Sequence, residues 1–307
     1  MKYQIKKINL NHSFIFFLFS NIISLIVFKF INLNISSLIC LFLILIIGVS
    51  HGSLDHEKGK KLFKILNIKS ISFFYLSYVL ISILVIFIWI IIPSSSLIIF
   101  LAVASYHFGK EDTVFKVKKR VLSNEILFFL KGSSIIISPL LFQRDSTNEI
   151  FATLNFYVFE SPFFNDFTLI IFLVLGFFSN IYLTIDKSIN FKNIMILDYF
   201  SIIILNIFLT PILAFTLYFC FLHSVRHSFS LINEIDRSFK IGLKKFIMKA
   251  IPLTLITGLI FLSSIYFLNN LYEIDEAIYK VIFIGLASLT FPHILLEYLL
   301  EKNEKRN

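Results

Sequence analysis

The feature that most constrains this chain is a succession of apolar stretches, each about as long as an α-helix must be to cross a lipid bilayer. At 1.5 Å per residue, roughly 20 apolar residues span a hydrocarbon core of about 30 Å. Ten stretches qualify: 13–33, 36–52, 71–92, 95–109, 126–142, 167–185, 194–209, 211–229, 249–268 and 278–299. In lipid the backbone must satisfy its own polar groups, so only helices or closed barrels cross it, and barrel strands are about half this length. The expectation is an all-α, polytopic integral membrane helix bundle of about ten transmembrane helices (range 8–10). It would form a single integral membrane domain over 1–307, with the first helix, 13–33, peripheral to it. Composition agrees: the chain is 57% hydrophobic and 15% charged, where soluble domains carry about 25% charge.

Local signals punctuate the runs. Pro93-Ser94-Ser95-Ser96 separates the third stretch from the fourth, and Thr210-Pro211 marks either a break between two helices or a kink in one long one. The N-terminus, MKYQIKKINLNHSFIFFLF, is basic and then apolar like a signal peptide. No small-residue cleavage site follows, so it reads as the first membrane helix, with His12 at its interfacial flank. Cys40 and Cys220 sit inside apolar runs and read as buried thiols, not as a disulfide or a CxxC site.

Charge gives the orientation. With the N-terminus in the cytoplasm and ten alternating spans, all of the 28 Lys and Arg residues except Lys29, Lys131, Arg144 and Lys280 fall in the inner loops and tails. Asp145, Glu149, Glu160, Asp166, Glu273, Asp275 and Glu276 fall outside. This is the positive-inside asymmetry of a multi-pass protein with both termini cytoplasmic. It accounts for the net charge of +9 without a nucleic-acid partner.

In that topology the histidines form a pattern. His51 (GVSHGSLDH) ends the second span and His107 (ASYHFGKED) the fourth. His223 and His227 (CFLHSVRHSFS) end the eighth, and His293 (TFPHILLEY) lies late in the tenth. All are at the cytoplasmic level, where intramembrane ionisable groups normally face a bundle interior. His223 and His227, four apart, share a helix face and can grip one metal. Asp55, Glu111 and Glu297 each follow a histidine by four, placing carboxylates where they could orient metal-bound imidazoles. Gly52 and Gly109 suit close helix packing or a helix end, and Arg226 reads as an interfacial anchor. Imidazole donors suit zinc, copper, iron or nickel alike.

Other chemistries lack their parts. There is no GxSxG elbow, P-loop, dinucleotide fingerprint or HExxH pattern, and seven histidines are too few for the three boxes of a membrane desaturase. A transporter or metal-ion permease using the histidines as a passage is the main rival. It would need polar residues through the midplane, where this chain offers little beyond Asn180, Asp198 and Asn206.

The four segments HGSLDH, YHFGKED, HSVRH and PHILLE, in this order and spacing, resemble the Brp/Blh family of membrane-bound β-carotene dioxygenases over essentially the whole chain. That resemblance implies cleavage of β-carotene at its central 15,15′ double bond by O2, with Fe(2+) as cofactor and two all-trans-retinal as products. It implies His51, His107, His223 and His227 as the catalytic iron ligands. His293, with Asp55, Glu111 and Glu297, would stand behind them or line the pocket, and Tyr106, Phe108 and Phe221 could line a polyene tunnel. It further implies a multi-pass protein of the bacterial inner membrane that supplies retinal to a rhodopsin.

Overall fold

The computed structural model describes residues 2–29, 36–68, 70–115, 122–156, 164–185, 187–236 and 238–304. Expectations for residues 30–33, Lys69, Lys116, Lys118, Lys119, Arg120, Glu160, Arg237, Lys305 and Arg306 lie outside them. The described chain is helical throughout, with no strand among the described residues: a polytopic helical membrane protein. Eight helical stretches are long and apolar enough to cross a membrane: Ile8–Lys29, Ser37–Ile65, Ser72–Ile91, Ser123–Phe142, Asp166–Leu183, Ile189–Phe208, Phe239–Leu268 and Ile274–Glu304. The remaining two expected spans are helical as well, but one, Pro93–Glu111, has polar residues at both ends and the other is irregular.

The chain divides into two compact units, residues 1–40 with 98–227, and residues 41–97 with 228–307. The first unit contains α1 (Lys2–Lys29) and most of α5 (Pro93–Glu111). It continues with α6 (Leu122–Phe142), α7 (Arg144–Thr153), α8 (Asp166–Leu183) and α9 (Ile189–Phe208). Then come α10 (Pro211–Leu217), a π-helical stretch Tyr218–Ser224 and the start of α11 (Val225–Ile235). Here α6 lies along α8 and α9, and α1 along α9. The break at Thr210-Pro211 is complete: Leu209 and Thr210 are extended and Pro211 opens α10, where a missing N–H costs nothing. Asn165 caps α8 by accepting from the Thr168 N–H at 2.9 Å.

Glycine decides how α5 meets α6. A Cβ on Gly109 would overlap the Phe128 carbonyl, and one on Gly132 would overlap that of Ser105. The two backbones therefore touch, as small residues permit between membrane helices. Gly52 differs, because a Cβ there would meet nothing within 4 Å. Its expected role in packing is not observed.

The second unit contains α2 (Ser37–Leu43), whose first residues belong to the first unit, then a π turn Ile44–Gly48 and a 3₁₀ segment Val49–Leu54. These lead into α3 (Asp55–Ile65), α4 (Ser72–Ile91), α12 (Phe239–Leu268) and α13 (Ile274–Glu304). Leu54, Leu231, Ile232, Phe246 and Ala250 form one buried cluster, and Leu62, Phe74 and Leu296 tie α3, α4 and α13 into another. Outward faces are greasy: Leu76, Leu80, Ile83, Phe87 and Ile90 on α4, and Ile251, Leu255 and Leu259 on α12, are all exposed. Contiguous apolar exposure on this scale suits lipid contact.

Candidate metal centre

In the first unit the site is built where α5 ends against the π turn. His223 Nδ1 donates to Asp112 Oδ1 at 2.9 Å, and the Tyr218 hydroxyl donates to Asp112 Oδ2 at 2.6 Å. The helix irregularity explains why both reach one carboxylate. At 3.6 residues per turn, positions five apart diverge by about 140° around the axis. The i→i+5 bonding of a π turn instead brings them roughly one above the other. Tyr218 and His223 are five apart and both lie in that turn. One turn on, His227 Nδ1 lies 3.6 Å from Glu111 Oε2. The HxxxH pair thus faces two consecutive acids, with Asp112 hydrogen-bonded to His223 and Glu111 within ion-pair range of His227.

His107, on α5, sets its ring edge-on to His223 with centroids 5.4 Å apart. Phe108 packs edge-on to His223 at 4.9 Å and against Tyr218 at 5.4 Å, so it shapes the wall beside the imidazole. The other two expected tunnel aromatics are engaged elsewhere. The Tyr106 hydroxyl donates to Glu125. Phe221 packs on Phe19 of α1 at 5.9 Å, and its carbonyl accepts from His12 Nε2 at 2.8 Å.

Asp112 is deeply buried. Burial alone would push its carboxyl up, but the imidazole of His223 and the cations of Lys131 and Arg226 outweigh that and hold it below the usual carboxylate range. Lys131 also donates to Thr113 Oγ1 at 3.0 Å. Arg226 is not at an interface: 4% exposed, it grips Asp198 with both arms at 2.6 and 3.0 Å and donates to Ser13 Oγ of α1 at 2.8 Å. The expectation of a surface anchor fails because its guanidinium has a buried partner that sequence spacing does not reveal.

In the second unit, His293 Nδ1 lies 2.8 Å from both oxygens of Asp55, and the Tyr78 hydroxyl donates to Asp55 Oδ2 at 2.9 Å. Tyr78 also reaches the Leu289 carbonyl at 3.3 Å. His293 Nε2 is 3.6 Å from Glu297 Oε1 on the next turn, and Lys58 Nζ donates to that same oxygen at 2.6 Å. His293 and Glu297 are thus a nitrogen and an oxygen donor that a metal could use. The described part of His51 is its backbone, in the 3₁₀ segment.

The donor chemistry fits a metal. An imidazole that gives its Nδ1–H to a carboxylate is fixed in one tautomer, with the Nε2 lone pair presented away from the acid, as metal-bound histidines usually are. His107, His223 and His293 are all buried, and neutral imidazoles are the nitrogen donors for zinc, copper, iron and nickel. Asp112, Tyr218 and Tyr78 were not anticipated from the sequence. Asp112 stands beside Glu111, but its spacing of five from His107 falls outside the i+4 rule. Nothing near Tyr218 signals the π turn that aims it.

A family model described as beta-carotene 15,15'-dioxygenase matches residues 42–301. A curated protein named beta-carotene 15,15'-dioxygenase, from the uncultured marine bacterium 66A03, is 29% identical over 277 residues, covering 87% of this chain and 94% of that protein. No solved structure matches significantly. The family match takes in most of the chain, including all four histidine segments, and the chain belongs to the beta-carotene 15,15'-dioxygenase family.

Proposed function

We propose that this protein cleaves β-carotene at its central 15,15′ double bond with O2, giving two molecules of all-trans-retinal, and that Fe(2+) is held by His51, His107, His223 and His227. One C=C bond breaks and each half takes one oxygen atom, so no further co-reactant is needed. Bound Fe(2+) would supply the activation of dioxygen. The chain's own groups hold the imidazoles: Asp112 and Tyr218 fix His223, Glu111 faces His227, and Phe108 walls His223.

The observation that carries this reading is an HxxxH pair set against consecutive acids, His223 bonded to Asp112 and His227 facing Glu111, with His107 against His223, in a chain of this family. A bilayer setting suits a substrate that dissolves in lipid. The reading places the protein in the bacterial inner membrane, with a retinal-binding rhodopsin as a downstream consumer. A permease draws less support, since Asp198 is occupied by Arg226.

Expression in carotene-producing bacteria tests it. Pigment should bleach and retinal accumulate. A wild-type protein that leaves carotene intact with iron supplied sinks the reading, and full activity in His223→Ala or His227→Ala removes the ligand assignment.

A further inference from the structure

Each unit contains the same three-residue arrangement. In the first, Asp112 accepts from Tyr218 at 2.6 Å and from His223 Nδ1 at 2.9 Å. In the second, Asp55 accepts from Tyr78 at 2.9 Å and from His293 Nδ1 at 2.8 Å. Both acids are buried, as are both imidazoles. Both acids also follow a candidate ligand histidine closely, Asp55 after His51 by four and Asp112 after His107 by five. A carboxylate braced by a tyrosine and bonded to Nδ1 is the arrangement that orients a histidine for metal.

We propose that His293 is itself a metal ligand through Nε2, oriented by Asp55 and Tyr78 as His223 is by Asp112 and Tyr218. The proposal rests on the dioxygenase reading for the identity of the metal as iron. Glu297 Oε1, 3.6 Å from Nε2, sharpens the choice. With Nδ1–H given to Asp55, a neutral ring turns a lone pair towards a second carboxylate, and a cation between the two resolves the repulsion. Lys58 Nζ, 2.6 Å from Glu297 Oε1, offsets part of the Glu297 charge. The competing structure is an imidazolium bridging Asp55 and Glu297, which would bind no metal.

The test uses the full-length protein in detergent, titrated anaerobically with Fe(2+) and separately with Co(2+), whose visible bands report its ligands. His293→Ala should weaken Fe(2+) binding by about tenfold or more, since losing even a group behind a ligand costs about 10–100-fold. It should shift the cobalt bands, and added imidazole should restore occupancy, which a purely structural histidine would not show. Tyr78→Phe, which removes one hydroxyl, and His293→Gln keep the test open if the alanine variant does not fold. Both should weaken binding in the same direction. Wild-type iron affinity and cobalt spectra in the folded variants overturn the proposal while leaving the dioxygenase reading intact. A wild type that binds iron yet spares carotene overturns the reading instead.

Discussion

Asp112 carries two loads: it accepts the Tyr218 hydroxyl and the His223 N–H while buried beside Lys131. Asp112→Asn keeps the shape and removes the charge, and the amide can turn an N–H towards His223 and favour the wrong tautomer. Metal affinity should fall by about 10–100-fold, measured by titration, with less loss in Tyr218→Phe, where the charge remains. Here the sequence was half legible. The histidines stand out because ionisable groups are scarce in apolar runs, and Glu297 near His293 follows from helical spacing. Asp55 follows His51 by four, and its carboxylate bonds to His293, 238 positions away. Glu111 was marked behind His107 and faces His227. Local periodicity shows that a carboxylate is available, whereas its partner is fixed by tertiary packing.

At the level of elements, α1 is more engaged than its position outside the family match suggests. His12, Ser13 and Phe19 touch Phe221 and Arg226, on either side of His223. Arg226→Gln would leave Asp198 buried without its counter-charge, a loss of about 3–5 kcal/mol for a broken buried pair. Thermal unfolding in detergent should show it, and Ser13→Ala should cost far less because the bidentate pair survives. Eight of the ten spans were readable from apolar length alone. The other two were harder for physical reasons. Pro93–Glu111 begins and ends in polar residues, and the stretch after Pro211 changes from α to π and back, a change that no composition signal announces.

At the scale of the whole molecule, the distribution of lysine and arginine makes a prediction about sidedness. Reporter fusions at the C-terminus and within 238–249 should read as cytoplasmic, and fusions at 144–149 as external. An external C-terminus would overturn the ten-span topology.

The apolar residues exposed along α4 and α12 have a kinetic consequence. An enzyme wetted by lipid samples its hydrocarbon substrate in a two-dimensional solution, where the mole fraction of carotene in the bilayer, not its amount per volume of suspension, sets the encounter rate. Adding carotene-free lipid to vesicles at fixed total carotene dilutes the substrate within that film and should slow turnover, although the bulk concentration of every reactant is unchanged.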